Sequence, residues 1–179
     1  MTYQEMVDSI PEYAKDLKLN LGNVMEQGDL TAQQAWGTAV ACSLAARNRE
    51  LYGAVLSEAS GKLTPQALFG ARAAAAVMGM NNIFYRFRHF ASNLKYGTIP
   101  ARLRMQSIRA HGADPADFEL WCLAVSAVNG CQVCVSSHEQ AVREKGLSEE
   151  TVLAAIRIAA TIHALAAVVG ADEAAGATA

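Results

Sequence analysis

Two cysteines and a histidine stand close together in the stretch SAVNGCQVCVSSHEQ, residues 126–140. Cys131 and Cys134 are three positions apart and His138 is four beyond Cys134, so a helix that begins near Cys131 carries all three on one face. The Asn-Gly pair directly before them favours the positive φ that ends a preceding helix. The spacing therefore predicts a reactive sulfur site in the first turns of a helix.

A Cys-x-x-Cys pair at the start of a helix suits reversible thiol chemistry. Unsatisfied backbone N–H groups and the positive end of the helix dipole stabilise a thiolate there. A second thiol can capture a sulfenic acid as a disulfide before further oxidation. His138 is placed to exchange a proton with Cys134, and Glu119 on the preceding helix is the candidate carboxylate that orients the imidazole.

The same residues leave two other interpretations open. Cys131, Cys134 and His138 supply three of the four ligands that zinc prefers, although structural zinc sites usually join two separate segments. Both thiols could also be inert core residues, as we predict for Cys42 and Cys122 in their apolar helical runs. On spacing alone, dithiol chemistry is favoured over both.

The other histidines are weaker candidates for this site. His163 lies in the apolar run ATIHALAA, which is typical of a hydrogen-bonded core histidine. His89 and His111 are expected to be exposed.

The elements around the cluster are predicted to be helices throughout. Apolar residues recur at helical spacing along the chain, and no segment shows sustained alternation with period two. Asp114-Pro115 and Ser148 are typical residues for the starts of helices. The sequence therefore predicts an all-α fold, with Glu119 on the helix that precedes Cys131.

An internal repeat relates the segment at about 30–80 to the segment at about 115–165. WGTAVACS aligns with WCLAVSAV, and LTPQALFGARAAAA aligns with LSEETVLAAIRIAA in the same order. In the first half, Ala46, Arg49 and Gly53 occupy the positions of the two cysteines and the histidine. Since that helical unit does not need the polar cluster, we attribute the cluster to function.

Composition sets limits on the molecule as a whole. The 179 residues are predicted to form a single domain, 1–179. Charged residues make up 18% of the chain and hydrophobic residues 52%, against about 25% charged in a typical domain. Because so much apolar surface is difficult to bury within one subunit, we predict a homo-oligomer.

Charge and hydropathy indicate where the protein works. A net charge of −2 gives no general attraction to nucleic acid. The start MTYQEMVDSIPEYAKDL lacks the features of a signal peptide, and the longest apolar run, 153–169, contains Arg157 and His163. We expect a cytoplasmic protein that neither spans a membrane nor binds nucleic acid.

The spacing of Glu119, Cys131, Cys134 and His138 resembles that of the AhpD family of alkyl hydroperoxidases, in the carboxymuconolactone-decarboxylase-like superfamily. The segments PEYAKDLKLNL, MGMNNIFYRF and FELWCLAVSAVNGC extend the resemblance over nearly the whole chain. It implies an all-helical subunit of two related halves, assembled as a homotrimer with no bound cofactor.

The resemblance also implies an activity. Such proteins are antioxidant thiol peroxidases that reduce alkyl hydroperoxides and a partner peroxiredoxin, AhpC. Their reductant is the dihydrolipoyl group of a lipoylated acyltransferase, which dihydrolipoamide dehydrogenase reduces with NADH. By resemblance, Cys134 becomes the sulfenic acid and forms the mixed disulfide with a partner, whereas Cys131 donates a proton and closes the internal disulfide. Glu119 and His138 relay protons, without the histidine that some relatives have at the position of Val133.

Two other functions share part of this pattern. A carboxymuconolactone-decarboxylase-like lyase would keep the fold, but its reaction gives no reason for a paired thiol. A zinc-binding module would use Cys131, Cys134 and His138 as ligands.

Overall fold

The computed structural model describes residues 1–171. This part of the chain contains helices and no β-strand, which confirms the all-α prediction. Two short 3-10 helices, Glu12–Ala14 and Gln106–Ile108, accompany the α-helices. The α-helices of the described residues are α1 (Tyr3–Asp8), α2 (Lys15–Glu26), α3 (Ala32–Ala45), α4 (Arg49–Ala59), α5 (Pro65–Phe90), α6 (Lys95–Thr98), α7 (Pro115–Val128), α8 (Gln132–Glu144) and α9 (Glu149–Leu165).

Side-chain caps determine where the helices around the site begin. The Asp114 carboxylate accepts hydrogen bonds from the backbone N–H groups of Ala116 and Asp117 at the start of α7. The Ser148 hydroxyl accepts an equivalent bond at the start of α9. Each cap satisfies N–H groups that have no partner within the helix, which contributes about 1 kcal/mol. Both caps lie where the sequence predicts them.

The core is centred on the packing of α3, α5 and α9 against α7. Trp121 of α7 is fully buried, and its indole N–H donates to the Gln34 carbonyl. Glycines make room for the ring: a Cβ at Gly37 of α3 would overlap the indole, and one at Gly70 of α5 would approach within 3.1 Å of it. Burying an aromatic ring of this size contributes on the order of 4–6 kcal/mol before side-chain entropy is subtracted. This packing fixes α7, and therefore Glu119, relative to α5.

The predicted repeat corresponds to two successive groups of three helices, α3 to α5 and α7 to α9. In both groups a hydroxyl side chain caps the third helix, Thr64 for α5 and Ser148 for α9. The relationship between the halves, at about 30–80 and 115–165, stays a prediction from sequence.

An exposed apolar surface extends from the end of α5 into the connection that follows it. Phe87, Phe90, Leu94 and Ile99 are each more than half exposed. Exposed apolar side chains of this kind are what the predicted homo-oligomer would bury. No helix within residues 1–171 is both long and apolar enough to cross a membrane.

Two predictions about histidines were wrong. His163 is exposed, because only one side of α9 faces the core and the apolar run continues around to its outer side. His111 is buried: its ring stacks on Phe118 with centroids 3.9 Å apart, and its Nδ1 accepts a hydrogen bond from the Ala113 N–H. Burial lowers the pKa of His111, which favours the neutral ring that this stacking holds. His89 is exposed, as predicted.

Candidate active site

A Schellman motif ends α7 and places Cys131 at the start of α8. Gly130 has φ +65°, and its N–H donates to the Ala127 carbonyl at 3.1 Å. The Cys131 N–H donates to the Ser126 carbonyl, also at 3.1 Å. Glycine adopts this left-handed conformation without a Cβ clash, which explains the Asn-Gly break in the sequence. Cys131 is the N-cap residue of α8, so the predicted start of the helix is confirmed.

A buried polar network from α5 holds this turn in place. Asn82 is fully buried; its amide nitrogen donates to the Ser126 hydroxyl at 2.9 Å, and its amide oxygen accepts from the Asn129 amide at 2.9 Å. The Arg86 guanidinium donates to the Asn129 carbonyl. Sequence reasoning missed this network, although two asparagines within an apolar helix are a recognisable signal because buried amides need partners.

The two cysteines of the cluster differ in accessibility. A disulfide joins Cys131 to Cys134, with Cα atoms 5.3 Å apart. Cys131 is fully buried, whereas Cys134 is 6% exposed and lines a cavity of about 270 Å³. A molecule in this cavity can therefore reach Cys134 but not Cys131.

The cavity lies between α5, α8 and the connection that follows α6. Its wall is largely apolar and aromatic, formed by Met78, Tyr85, Met105, Ile108 and Val133. The polar groups at its lining besides Cys134 are Asn81, Ser137 and His138. A small organic molecule with one polar end fits such a lining.

His138 and Glu119 form a close pair at this site. The His138 Nδ1 lies 2.6 Å from a Glu119 carboxylate oxygen, and the His138 Nε2 lies 3.2 Å from the Met78 sulfur. The hydrogen bond from His138 lowers the pKa of the Glu119 carboxyl, and partial burial opposes this effect. Glu119 is therefore an anion that fixes the orientation of the imidazole, and the imidazole lines the same cavity as Cys134.

The remaining cysteines take no part in this arrangement. Cys42 and Cys122 are fully buried and form no disulfide, which confirms their prediction as core residues. Burial raises the pKa of both thiols, so neither is a thiolate near neutral pH.

The geometry does not favour the zinc alternative. Cys131 and Cys134 are bonded to each other, and His138 makes its polar contacts with Glu119 and Met78. Within the described part of the chain, no three His, Cys, Asp or Glu side chains are grouped so that they could hold a metal ion. The four predicted site residues instead form two pairs, Cys131 with Cys134 and Glu119 with His138. Cys134 and His138 line the same cavity.

Fold and site together define an all-helical protein with a Cys-x-x-Cys disulfide at the start of a helix, beside a histidine–carboxylate pair. Residues 95–177 match the Carboxymuconolactone decarboxylase family. The chain is 68% identical to the alkyl hydroperoxide reductase AhpD of Solibacter usitatus, over 94% of this chain and 95% of that protein. It is 55% identical to the AhpD of Koribacter versatilis, over 97% of this chain and 90% of the relative. It is 54% identical to the AhpD of Acidobacterium capsulatum, over 97% of this chain and 95% of that relative. The chain belongs to the AhpD family, which confirms the resemblance found in the sequence.

Proposed function

We propose that this protein is an alkyl hydroperoxide reductase that works through a dithiol–disulfide cycle at Cys131 and Cys134. The observation that carries the proposal is that the two cysteines are bonded at a helix start where Cys134 faces an apolar cavity. The similarity to relatives known as alkyl hydroperoxide reductase AhpD supports peroxide as the oxidant. The product of the oxidising step is the disulfide itself.

In the oxidising half of the cycle, the Cys134 thiolate attacks the terminal oxygen of the hydroperoxide. The S–O bond forms as the O–O bond breaks, which leaves a sulfenic acid on Cys134 and an alkoxide. His138, which the Glu119 carboxylate orients, passes to the alkoxide the proton that Cys134 lost on becoming a thiolate, and the product leaves as an alcohol. Cys131 then attacks the Cys134 sulfur, and one water is released as the disulfide closes. Two thiols and one hydroperoxide thus give a disulfide, an alcohol and water.

In the reducing half, a dithiol attacks the accessible sulfur of Cys134 and releases Cys131 as a thiol. The second thiol of the reductant then attacks the mixed disulfide and releases Cys134. We assign this role to the dihydrolipoyl group of a lipoylated acyltransferase, which dihydrolipoamide dehydrogenase recharges. Reduction of the peroxiredoxin AhpC would use the Cys134 thiolate in the opposite direction, by attack on the disulfide of that partner.

The proposal includes a homotrimeric assembly in the cytoplasm with no bound cofactor. The exposed side chains of Phe87, Phe90, Leu94 and Ile99 support burial between subunits. Sedimentation equilibrium tests the assembly, and a monomer at micromolar concentration would contradict it.

A direct test of the activity is to measure hydroperoxide consumption with dihydrolipoamide as reductant. We expect the wild-type protein to turn over tert-butyl hydroperoxide and the Cys134→Ser variant to lose that turnover. Ser136→Ala is the matched control, because Ser136 lies exposed on the same helix. Full turnover by Cys134→Ser would refute the dithiol cycle.

A lyase remains the competing function, because residues 95–177 match the Carboxymuconolactone decarboxylase family. The paired cysteines favour the peroxidase, since decarboxylation of a lactone needs no reversible disulfide. Full activity on a carboxylated lactone after alkylation of Cys131 and Cys134 would favour the lyase.

A further inference from the structure

Positive charge is concentrated in one part of the chain. Residues 59–113 contain eight of the 15 Lys and Arg residues and none of the 17 Asp and Glu residues. This stretch therefore carries a formal charge of +8 within a chain whose net charge is −2. The connection that follows α6 contributes Arg102, Arg104 and Arg109, and all three are exposed. These three residues are called the arginine patch below.

The arginine patch lies beside the cavity that contains Cys134. Met105 and Ile108 line that cavity, and the same two residues line a neighbouring one together with Arg109. Arg104 directly precedes Met105 in the chain. Both arginines therefore flank the part of the wall that Met105 and Ile108 form. None of the residues that line either cavity is acidic.

The charges of the arginine patch are not compensated within the subunit. Among residues 1–171, the side chains that form ion pairs do not include any member of the patch. A guanidinium group keeps its positive charge at neutral pH and pairs well with carboxylates. Exposed cations without an acidic partner favour association with a surface of opposite charge.

The depth of Cys134 limits the kind of reductant that can reach it. Cys134 is 6% exposed and lines a cavity of about 270 Å³, which admits a small group but no folded protein surface. A dithiol at the end of a long, thin arm fits this cavity, and the carbon chain of a lipoyl-lysine suits its largely apolar wall. The protein that carries the arm stays outside, next to the arginine patch.

We propose that the arginine patch is the docking surface for the protein that delivers the dihydrolipoyl group, and that this partner presents acidic side chains around its lipoyl-lysine. This inference rests on the proposed function and adds the chemistry by which the reductant is recognised. Attraction between the two surfaces raises the effective concentration of the dithiol near Cys134. The thiol exchange then follows the reducing half of the cycle.

Synthetic peptides test this surface with reductants of known charge. Two short peptides each carry one dihydrolipoyl-lysine, which is flanked by glutamates in the first and by glutamines in the second. Rapid quenching and mass spectrometry give the rate constant for reduction of the Cys131–Cys134 disulfide by each peptide. We expect the acidic peptide to react about 10-fold faster at about 20 mM salt, and less than about twofold faster at about 500 mM salt.

Variants of the arginine patch provide the second comparison. Arg104→Gln/Arg109→Gln is expected to reduce the advantage of the acidic peptide to less than about threefold. Its rate constants with free dihydrolipoamide and with tert-butyl hydroperoxide should change less than about twofold, because neither reagent is charged. Arg49→Gln/Arg72→Gln is the matched control, since it removes the same charge from exposed residues that do not line the cavity.

The outcomes separate the docking surface from the proposed function. If free dihydrolipoamide does not reduce the wild-type disulfide, the proposed electron donor fails. If it does, and the two peptides react equally fast, only the docking surface fails. An equal loss in the patch variant and the control variant would show a general effect of net charge, and would also overturn the inference.

A binding measurement does not depend on the redox chemistry. The Cys134→Ser protein is titrated with the acidic peptide in its oxidised, lipoyl form while backbone amide signals are followed by NMR. At about 20 mM salt we expect saturable shifts for Arg104 and Arg109 and none for Arg49 and Arg72. Patch signals that stay in place would overturn the proposal. Binding of phosphatidylglycerol vesicles in preference to the peptide would assign the arginines to a membrane surface, and would overturn it as well.

Discussion

The His138 imidazole and the Glu119 carboxylate lie 2.6 Å apart and join α8 to α7. The turn at Gly130 already links the two helices in sequence. The pair is therefore a second link between them, and the disulfide lies in the segment between Glu119 and His138. Because the other imidazole nitrogen faces Met78, both sides of the His138 ring are held by neighbours. The orientation of the ring beside the Cys134 cavity therefore depends on Glu119.

Glu119→Gln is expected to weaken both stability and the oxidising step. Since the folded protein lowers the pKa of Glu119, its contribution is present above the ordinary pKa of 4.5 and is lost as the pH falls through the lowered value. We expect wild-type protein to be more stable by about 1 kcal/mol near pH 7, with the difference shrinking below about pH 4.5. Urea unfolding of both proteins from pH 7 to pH 3 measures this.

The same variant is expected to slow peroxide reduction at least 10-fold, because the imidazole loses the anion that orients it. Glu139→Gln, on the exposed side of α8, is the matched control. A Glu119→Gln variant with an unchanged pH dependence of rate and stability would remove Glu119 from the relay.

Cys131→Ser separates the first chemical step from the closing of the disulfide. Cys134 alone reaches the cavity, so the variant should still be oxidised there but cannot form the internal bond. We expect mass spectrometry to show a gain of one oxygen atom after one equivalent of hydroperoxide, which dimedone traps as a sulfenic acid. Cys134→Ser should show no such gain. Trapping in Cys134→Ser instead would assign the attacking thiol to Cys131.

Thiol counting should distinguish the reactive pair from the core pair. Burial raises the pKa of Cys42 and Cys122, and both are fully buried. In native, reduced protein we expect iodoacetamide to modify Cys134 first and to leave Cys42 and Cys122 unmodified until the protein unfolds. Peptide mapping before and after urea checks this. Native labelling of Cys122 at the rate of Cys134 would contradict it.

The geometry of the sulfur site follows from short-range sequence signals. The spacing of Cys131 and Cys134 fixes their side chains on one helical face, and Gly130 ends α7 as the Asn-Gly pair predicts. Because α7 and α8 are consecutive helices joined by a tight turn, the pairing of Glu119 with His138 could also be expected. All of these contacts join residues that are close in sequence, which is why the sequence predicts them.

The contribution of α5 could not be derived in the same way. Met78, Asn81 and Asn82 reach the site from a helix far away in sequence, and helical periodicity does not say which face meets which neighbour. The same limit explains the error at His163, where apolar sequence continues on the outer side of α9. At His111, stacking on Phe118 permits a burial that its sequence context did not indicate.

Replacing Asn82 should destabilise the protein, because its side-chain amide is buried and hydrogen-bonded at both of its polar atoms. Removing the Asn82 amide leaves the Ser126 hydroxyl and the Asn129 amide without their partner, so Asn82→Ala should lower the free energy of unfolding by roughly 2–4 kcal/mol. Ser126→Ala removes one of the same bonds. Because the two residues share that bond, the double variant should lose less than the sum of the single losses, by about 1 kcal/mol. Urea unfolding of the wild type, the two single variants and the double variant measures these losses as a double-mutant cycle, provided that the m-value is the same for all four. Strictly additive losses would mean that the hydrogen bond between Asn82 and Ser126 does not contribute to holding the turn before Cys131.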